Sequence, residues 1–113
     1  MEENAAEYLR DHMADVLNAA LHQGVHRRIT RHGSAVAYVV PPAWHKAALE
    51  AMEGAPVIAE VPTRTARITV SALLDAAQWD GEHRVITRRG QAAAVLVPPA
   101  WHEAAAKKLA AES

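Results

Sequence analysis

Arginines recur in pairs 57 residues apart, Arg10 with Arg67, Arg27 with Arg84 and Arg31 with Arg88, and Arg31 falls at the rim of a predicted hairpin turn. A guanidinium is a planar fork of donors that binds phosphate oxygens, or the O6 and N7 edge of guanine, through two parallel hydrogen bonds. Arg27, Arg28, Arg84 and Arg89 are lesser candidates, because neighbours on a strand point to opposite faces and would mainly strengthen the local field. The competing reading is ordinary solvated charge, or ion pairing with Asp11, Asp75 and Glu82.

The histidines invite a metal, since His22 and His26 have the one-turn spacing of a ligand pair. Trp79 replaces His22 at the repeated position and Gly24 falls between the two, so no metal or other cofactor is expected. His45 and His102, beside Trp44 and Trp101, read as polar caps on an apolar patch, and the two tryptophans as core pieces. His26, His32 and His83 lie in the basic blocks, where protonation below about pH 6 would strengthen anion binding. Catalysis has little to build on: there is no cysteine, no GxSxG, no P-loop and no acid within the basic blocks to orient a histidine base. The chain is not expected to be an enzyme.

Charge narrows the partner. The net charge of −1 argues against a general polyanion binder, yet Val16 to Leu49 and His83 to His102 contain no Asp or Glu, while acids gather elsewhere. A locally basic surface on a neutral protein fits a confined anionic partner. At 113 residues, half of them hydrophobic, the chain fits one soluble domain, 1–113. The absence of cysteine, of a membrane-length apolar run and of a signal-like start predicts a cytoplasmic protein without a membrane partner.

The elements that must position these residues are written twice. HRRITRHGSAVAYVVPPAWHKAA, from His26, returns as HRVITRRGQAAAVLVPPAWHEAA, from His83, with 16 identities in 23 positions and no gap. This internal duplication gives repeat one as 1–54 and repeat two as 57–113, too few copies for a solenoid but suited to a fused pseudo-dimer. Apolar spacing predicts a helix over 5–22, stopped at Gly24, then a hairpin of about 26–30 and 35–40 with its turn at Gly33. Pro41 and Pro42 end the strand and open a short helix that runs to Gly54. After Ala55 and Pro56, VIAEV (57–61) reads as a strand. The duplication then decides for helix over 64–79 despite its ITV, with a hairpin over 82–97 and a last helix from Pro99 to about Ala111. The class is α+β, with a central antiparallel sheet and helices packed on it.

The ordered words now on the page are Ala66-Arg67-Ile68-Thr69-Val70, Gly81, Ile86-Thr87-Arg88-Arg89-Gly90 and Ala94-Val95-Leu96-Val97-Pro98 with Trp101, and their counterparts from Leu9 to Trp44. In this the chain resembles the Phd/YefM antitoxins, the prevent-host-death proteins of bacterial type II toxin-antitoxin systems, over nearly its whole length. Members of that family dimerise through such a module, bind operator DNA upstream of their own genes, and wrap a toxin with a C-terminal extension. The resemblance implies that one chain supplies both halves of the dimer, and that Arg10, Arg31, Arg67 and Arg88 contact operator DNA in a transcriptional autorepressor. Two departures are expected to matter. Only Met1 to Asn4 matches the family's first strand before repeat one, which predicts a lopsided sheet lacking one edge strand. About one helix follows the second hairpin, so toxin binding would fall to the terminal helix from Trp101 to Ala111. The alternatives are a protein-interaction module or toxin-binding antitoxin without DNA binding, a further homodimer of whole chains, and, least favoured, a histidine-based enzyme or metal binder.

Overall fold

The computed structural model describes residues Met1–Glu112. Its elements are β1 (Glu2–Ala5), α1 (Ala6–Asp11), α2 (Met13–Gln23), β2 (Arg27–Arg31), β3 (Ser34–Val40) and α3 (Pro42–Ala51), followed by β4 (Ile58–Pro62), α4 (Thr63–Ile68), α5 (Val70–Asp80), β5 (His83–Arg88), β6 (Gln91–Val97) and α6 (Pro99–Glu112). The second six come in the same order as the first six. All six strands form one sheet in the order β1-β2-β3-β6-β5-β4. The class is therefore α+β, built on a single mixed sheet.

Mixed is a correction to the expected antiparallel sheet. β1 pairs parallel with β2, and β4 parallel with β5, whereas the hairpins and the central β3–β6 seam are antiparallel. The physical cause is the connection: α1–α2 and α4–α5 are helical crossovers, and a crossover returns the chain in the direction in which it left. The expected loss of an edge strand is also overturned. Glu2–Ala5 lies in register with Arg27–Thr30, so four residues suffice where the backbone of β2 offers its free edge.

The long helices predicted over 5–22 and 64–79 are present, each broken at one residue, His12 (φ −125°, ψ 34°) and Thr69 (φ −121°, ψ 25°). The breaks sit 57 residues apart. They divide each helix so that the short first piece, α1 or α4, packs by the outer strands β1–β2 or β4–β5, while α2 or α5 reaches across the seam to β6 or β3. Both hairpins close through two residues with positive φ, His32 (52°) with Gly33 (79°) and Arg89 (54°) with Gly90 (76°), the combination that a type I′ turn requires. Glycine suits the second position, and a side chain at the first accepts some strain.

Strand alternation divides the buried residues into two layers. Leu9, Met13, Val16, Leu17, Leu73 and Leu74 pack with Ile29, Val39, Ile86 and Leu96 on the side of α1, α2, α4 and α5. Tyr38, Val40, Val95 and Val97 face the other side, under Trp44 and Trp101 of α3 and α6. Helices reach across the seam: α2 and α3 contact β6, and α5 and α6 contact β3. Each part of the chain is thereby roofed by helices of the other. Leu74 is fully buried in the first layer. Leu74→Ala should cost about 2–5 kcal/mol, the range of buried leucine truncations in well-packed cores, measured by urea denaturation. An unchanged midpoint would mean that this face does not carry the core.

Candidate nucleic-acid interface

On the α1/α4 side of the sheet a hollow of about 370 Å³ opens between the first residues of α1, the end of β2, and α4–α5. Its walls carry Arg10, Arg31 and Arg67, with His32, Ser71 and Glu7 beside them. Three of the four arginines that the resemblance marks as DNA contacts thus converge from both halves of the sequence. α1 and α4 touch one another, which brings Arg10 and Arg67 to the same opening. Arg67 is exposed, and among the described residues it makes no ion pair.

The remaining candidates lie elsewhere. Arg88 ends β5 opposite Gln91, and Arg89 opens the second turn; neither lines the hollow, and neither has an ion pair among the described residues. Arg27 is occupied inside the fold, donating to the Asn4 side-chain oxygen and lying 5.4 Å over the Tyr8 ring, where it fastens β1 and α1 to β2. Arg28 donates to Glu3 at 2.8 Å and does the same for the edge strand. The acids named for pairing are indeed engaged: Asp11 with Arg10 at 3.6 Å, Glu82 with Arg84 at 2.5 Å, and Asp75 with Arg31 at 2.8 Å. Arg10 and Asp11 are both more than half exposed, so that pair is weak and exchanges freely for another anion. Arg31 is held more firmly, because a second donor reaches the Ser71 carbonyl at 3.0 Å.

The histidines correct the sequence reading in an instructive way. His26 and His83 do not join the basic surface; His26 immediately precedes β2 and His83 begins β5, and both pack against α3 and α6 on the opposite side. His26 Nδ1 lies 2.9 Å from His102 Nε2, and His83 Nδ1 lies 2.8 Å from His45 Nε2. Each bond joins a histidine at the head of a hairpin in one half to a helix histidine of the other, and the two bonds use the same pair of atoms. Trp44 packs edge-on against His26, Trp101 edge-on against His83, and Tyr38 stacks on His102 at 3.8 Å. The tryptophans are partly buried here, closing the second layer.

Burial pushes the His83 imidazole down to about 4, helped by its neighbour His45, and takes His102 to about 4 in the same way beside His26. Burial also lowers His26 and His45. Near pH 6 His83 and His102 are neutral, so His83 cannot supply the acid-strengthened anion binding expected of it, and burial works against a charge on His26 as well. His32 alone of the three lines the hollow. His83 Nε2 and His102 Nδ1 are buried without a partner among the described residues. A bare lone pair is the less costly group to bury in that position, which places the shared protons on His83 Nδ1 and His102 Nε2. His45 and His102 are accordingly interior hydrogen-bonding groups rather than caps at a patch edge. The signal was present in the sequence: both histidines of each pair recur at the 57-residue offset.

Among the described residues no helix is long and apolar enough to cross a membrane. No protein-family model, no curated protein and no solved structure matches the chain.

Proposed function

We propose that this chain is a sequence-specific DNA-binding protein of the antitoxin type, a transcriptional autorepressor in which two tandem repeats, 1–54 and 57–113, close into a single-chain pseudo-dimer. The observation that carries the reading is the convergence of Arg10, Arg31 and Arg67 from both repeats on one hollow. The two-layer arrangement supports it, because α1, α2, α4 and α5 all lie on the face that bears these arginines while the histidines and tryptophans are turned to the other. On a nearly neutral protein, arginines gathered at one opening, with Arg67 free of any ion pair among the described residues, favour a polyanion at that face. The duplicated order of elements about the β3–β6 seam suits an imperfectly palindromic operator, each repeat taking one half-site. Contacts with phosphate would position the protein, and those with base edges would give it sequence preference.

The test is fluorescence anisotropy on a duplex selected from a random pool, with Arg10, Arg31, Arg67 and Arg88 replaced singly by alanine. Loss of a base contact at Arg10, Arg67 or Arg88 should weaken binding by roughly 1–3 kcal/mol, and loss of a phosphate contact there should make the log–log salt slope shallower by about one. If all four variants bind like the parent protein at two salt concentrations, the DNA reading fails and an interaction module takes its place.

A further inference from the structure

The two hairpin arginines are related by the 57-residue offset but not by their surroundings. Arg31 donates from Nη1 to Asp75 Oδ1 at 2.8 Å and from Nη2 to the Ser71 carbonyl at 3.0 Å, so both arms of its fork rest on α5. Arg88 has no ion pair among the described residues. The residue 57 positions before Asp75 is Asn18, which carries no charge, so the corresponding place in the first half holds no carboxylate. Asp75 is half exposed, its side chain at 52% against 26% for Arg31, and it sits over α5 without packing into the core. Its removal leaves the buried layers intact.

We infer that Asp75 is a specificity-determining residue: its carboxylate occupies the Arg31 fork as a built-in anion, so the chain presents one self-occupied and one open arginine to a phosphate-bearing ligand. The inference names a regulator of the proposed DNA surface and rests on that reading for its biological meaning, though not for its chemistry. A phosphate approaching Arg31 must displace a tethered carboxylate held by a charge-assisted hydrogen bond, whereas one approaching Arg88 displaces only water. The two half-sites are therefore read with unequal strength, and the Arg88 half dominates.

Two arms separate this inference from the DNA reading. In the first, the arginine Nε–Hε signals of the whole protein are followed by NMR during titration with inorganic sulfate. Arg88 should move at lower sulfate than Arg31 in the parent, and in Asp75→Asn the two should move together. In the second, the selected duplex is bound by the parent, Asp75→Asn, Arg31→Ala and Arg88→Ala. Asp75→Asn should bind roughly five- to tenfold tighter at low salt, with a slope steeper by about one. Arg31→Ala should change the parent's affinity less than twofold, while costing as much as Arg88→Ala once Asp75→Asn is present. Equal sulfate responses of Arg31 and Arg88 in the parent overturn the inference whatever the duplex does. Ordered sulfate responses with no duplex binding uphold the built-in anion and remove DNA as its target.

Discussion

Residues 1–54 expressed alone should yield no folded monomer. In the whole chain β3 is an interior strand, paired through Tyr38, Val39 and Val40 with Val97, Leu96 and Val95 of β6. Cutting the chain strips that edge, removes β6 from beneath α2 and α3, and takes His102 from His26. The fragment keeps a hairpin, a short parallel strand and helices whose apolar faces have lost their partner. A chain of that length buries too small a share of its surface to offset the entropy of ordering it. Circular dichroism with sedimentation at several concentrations checks this. The fragment should be largely unfolded when dilute, gaining structure only as two copies meet along β3. A monomer with native-like helix and strand content at low concentration would refute the interdependence of the halves.

The second large effect is an acid transition centred on the histidine pairs. In the unfolded chain these imidazoles take up protons at the ordinary value of 6.5, whereas in the folded protein His83 and His102 do so only at about 4. Between those values the unfolded state binds more protons, so stability falls as the pH is lowered; above about pH 7 this contribution is constant. The loss amounts to about 3 kcal/mol for each of the two rings by pH 4. Both are almost wholly buried, at 0% and 3% exposure, so solvent screening does not dilute the effect. The packed neighbours offer no relief: Trp101 and His45 enclose His83, while Tyr38, Trp44 and His26 enclose His102. A proton added to either pair would also turn an unpartnered lone pair into an unpartnered N–H. Urea midpoints should decline steadily from pH 7 to pH 4.5, and the His83 and His102 ring resonances should remain those of neutral imidazole at pH 5. A flat midpoint, or titration of those resonances near 6.5, would contradict the burial of the pairs.

Much of the local structure was legible because it repeats. A doubtful segment such as ITVSALL borrows its reading from the stretch 57 residues earlier, and the core assignments of Val70 and Leu74 follow from Met13 and Leu17. That Arg10, Arg31 and Arg67 share one hollow while Arg88 stands outside it does not follow from the spacing and depends on how α1 and α4 meet. Pairing across the halves was harder to read. A linear pattern says that His45 and His102 recur, but not that each seeks a partner in the other half, since that depends on α3 and α6 crossing the seam. The parallel strands are implicit in the sequence, because a strand, a helix and a strand in succession imply a crossover. Arg27 shows the limit of charge counting. Its position in a basic block says nothing of Asn4 and Tyr8, which absorb it through tertiary contacts alone.

The outer strands of the sheet have a bearing on colloidal behaviour. An edge strand offers unpaired amide groups to any passing chain, and proteins blunt such edges with charge, proline or brevity. β1 is only four residues long and carries Glu2 and Glu3, so a second copy approaching it meets like charge. β4 is guarded differently, by Glu60 and by Pro62, which has no amide hydrogen to give. Its leading end is less protected, because Val57 and Ile58 are 63% and 43% exposed there. Accidental strand addition, and with it the first step of aggregation in stressed or concentrated solution, therefore begins at the start of β4 and not at β1.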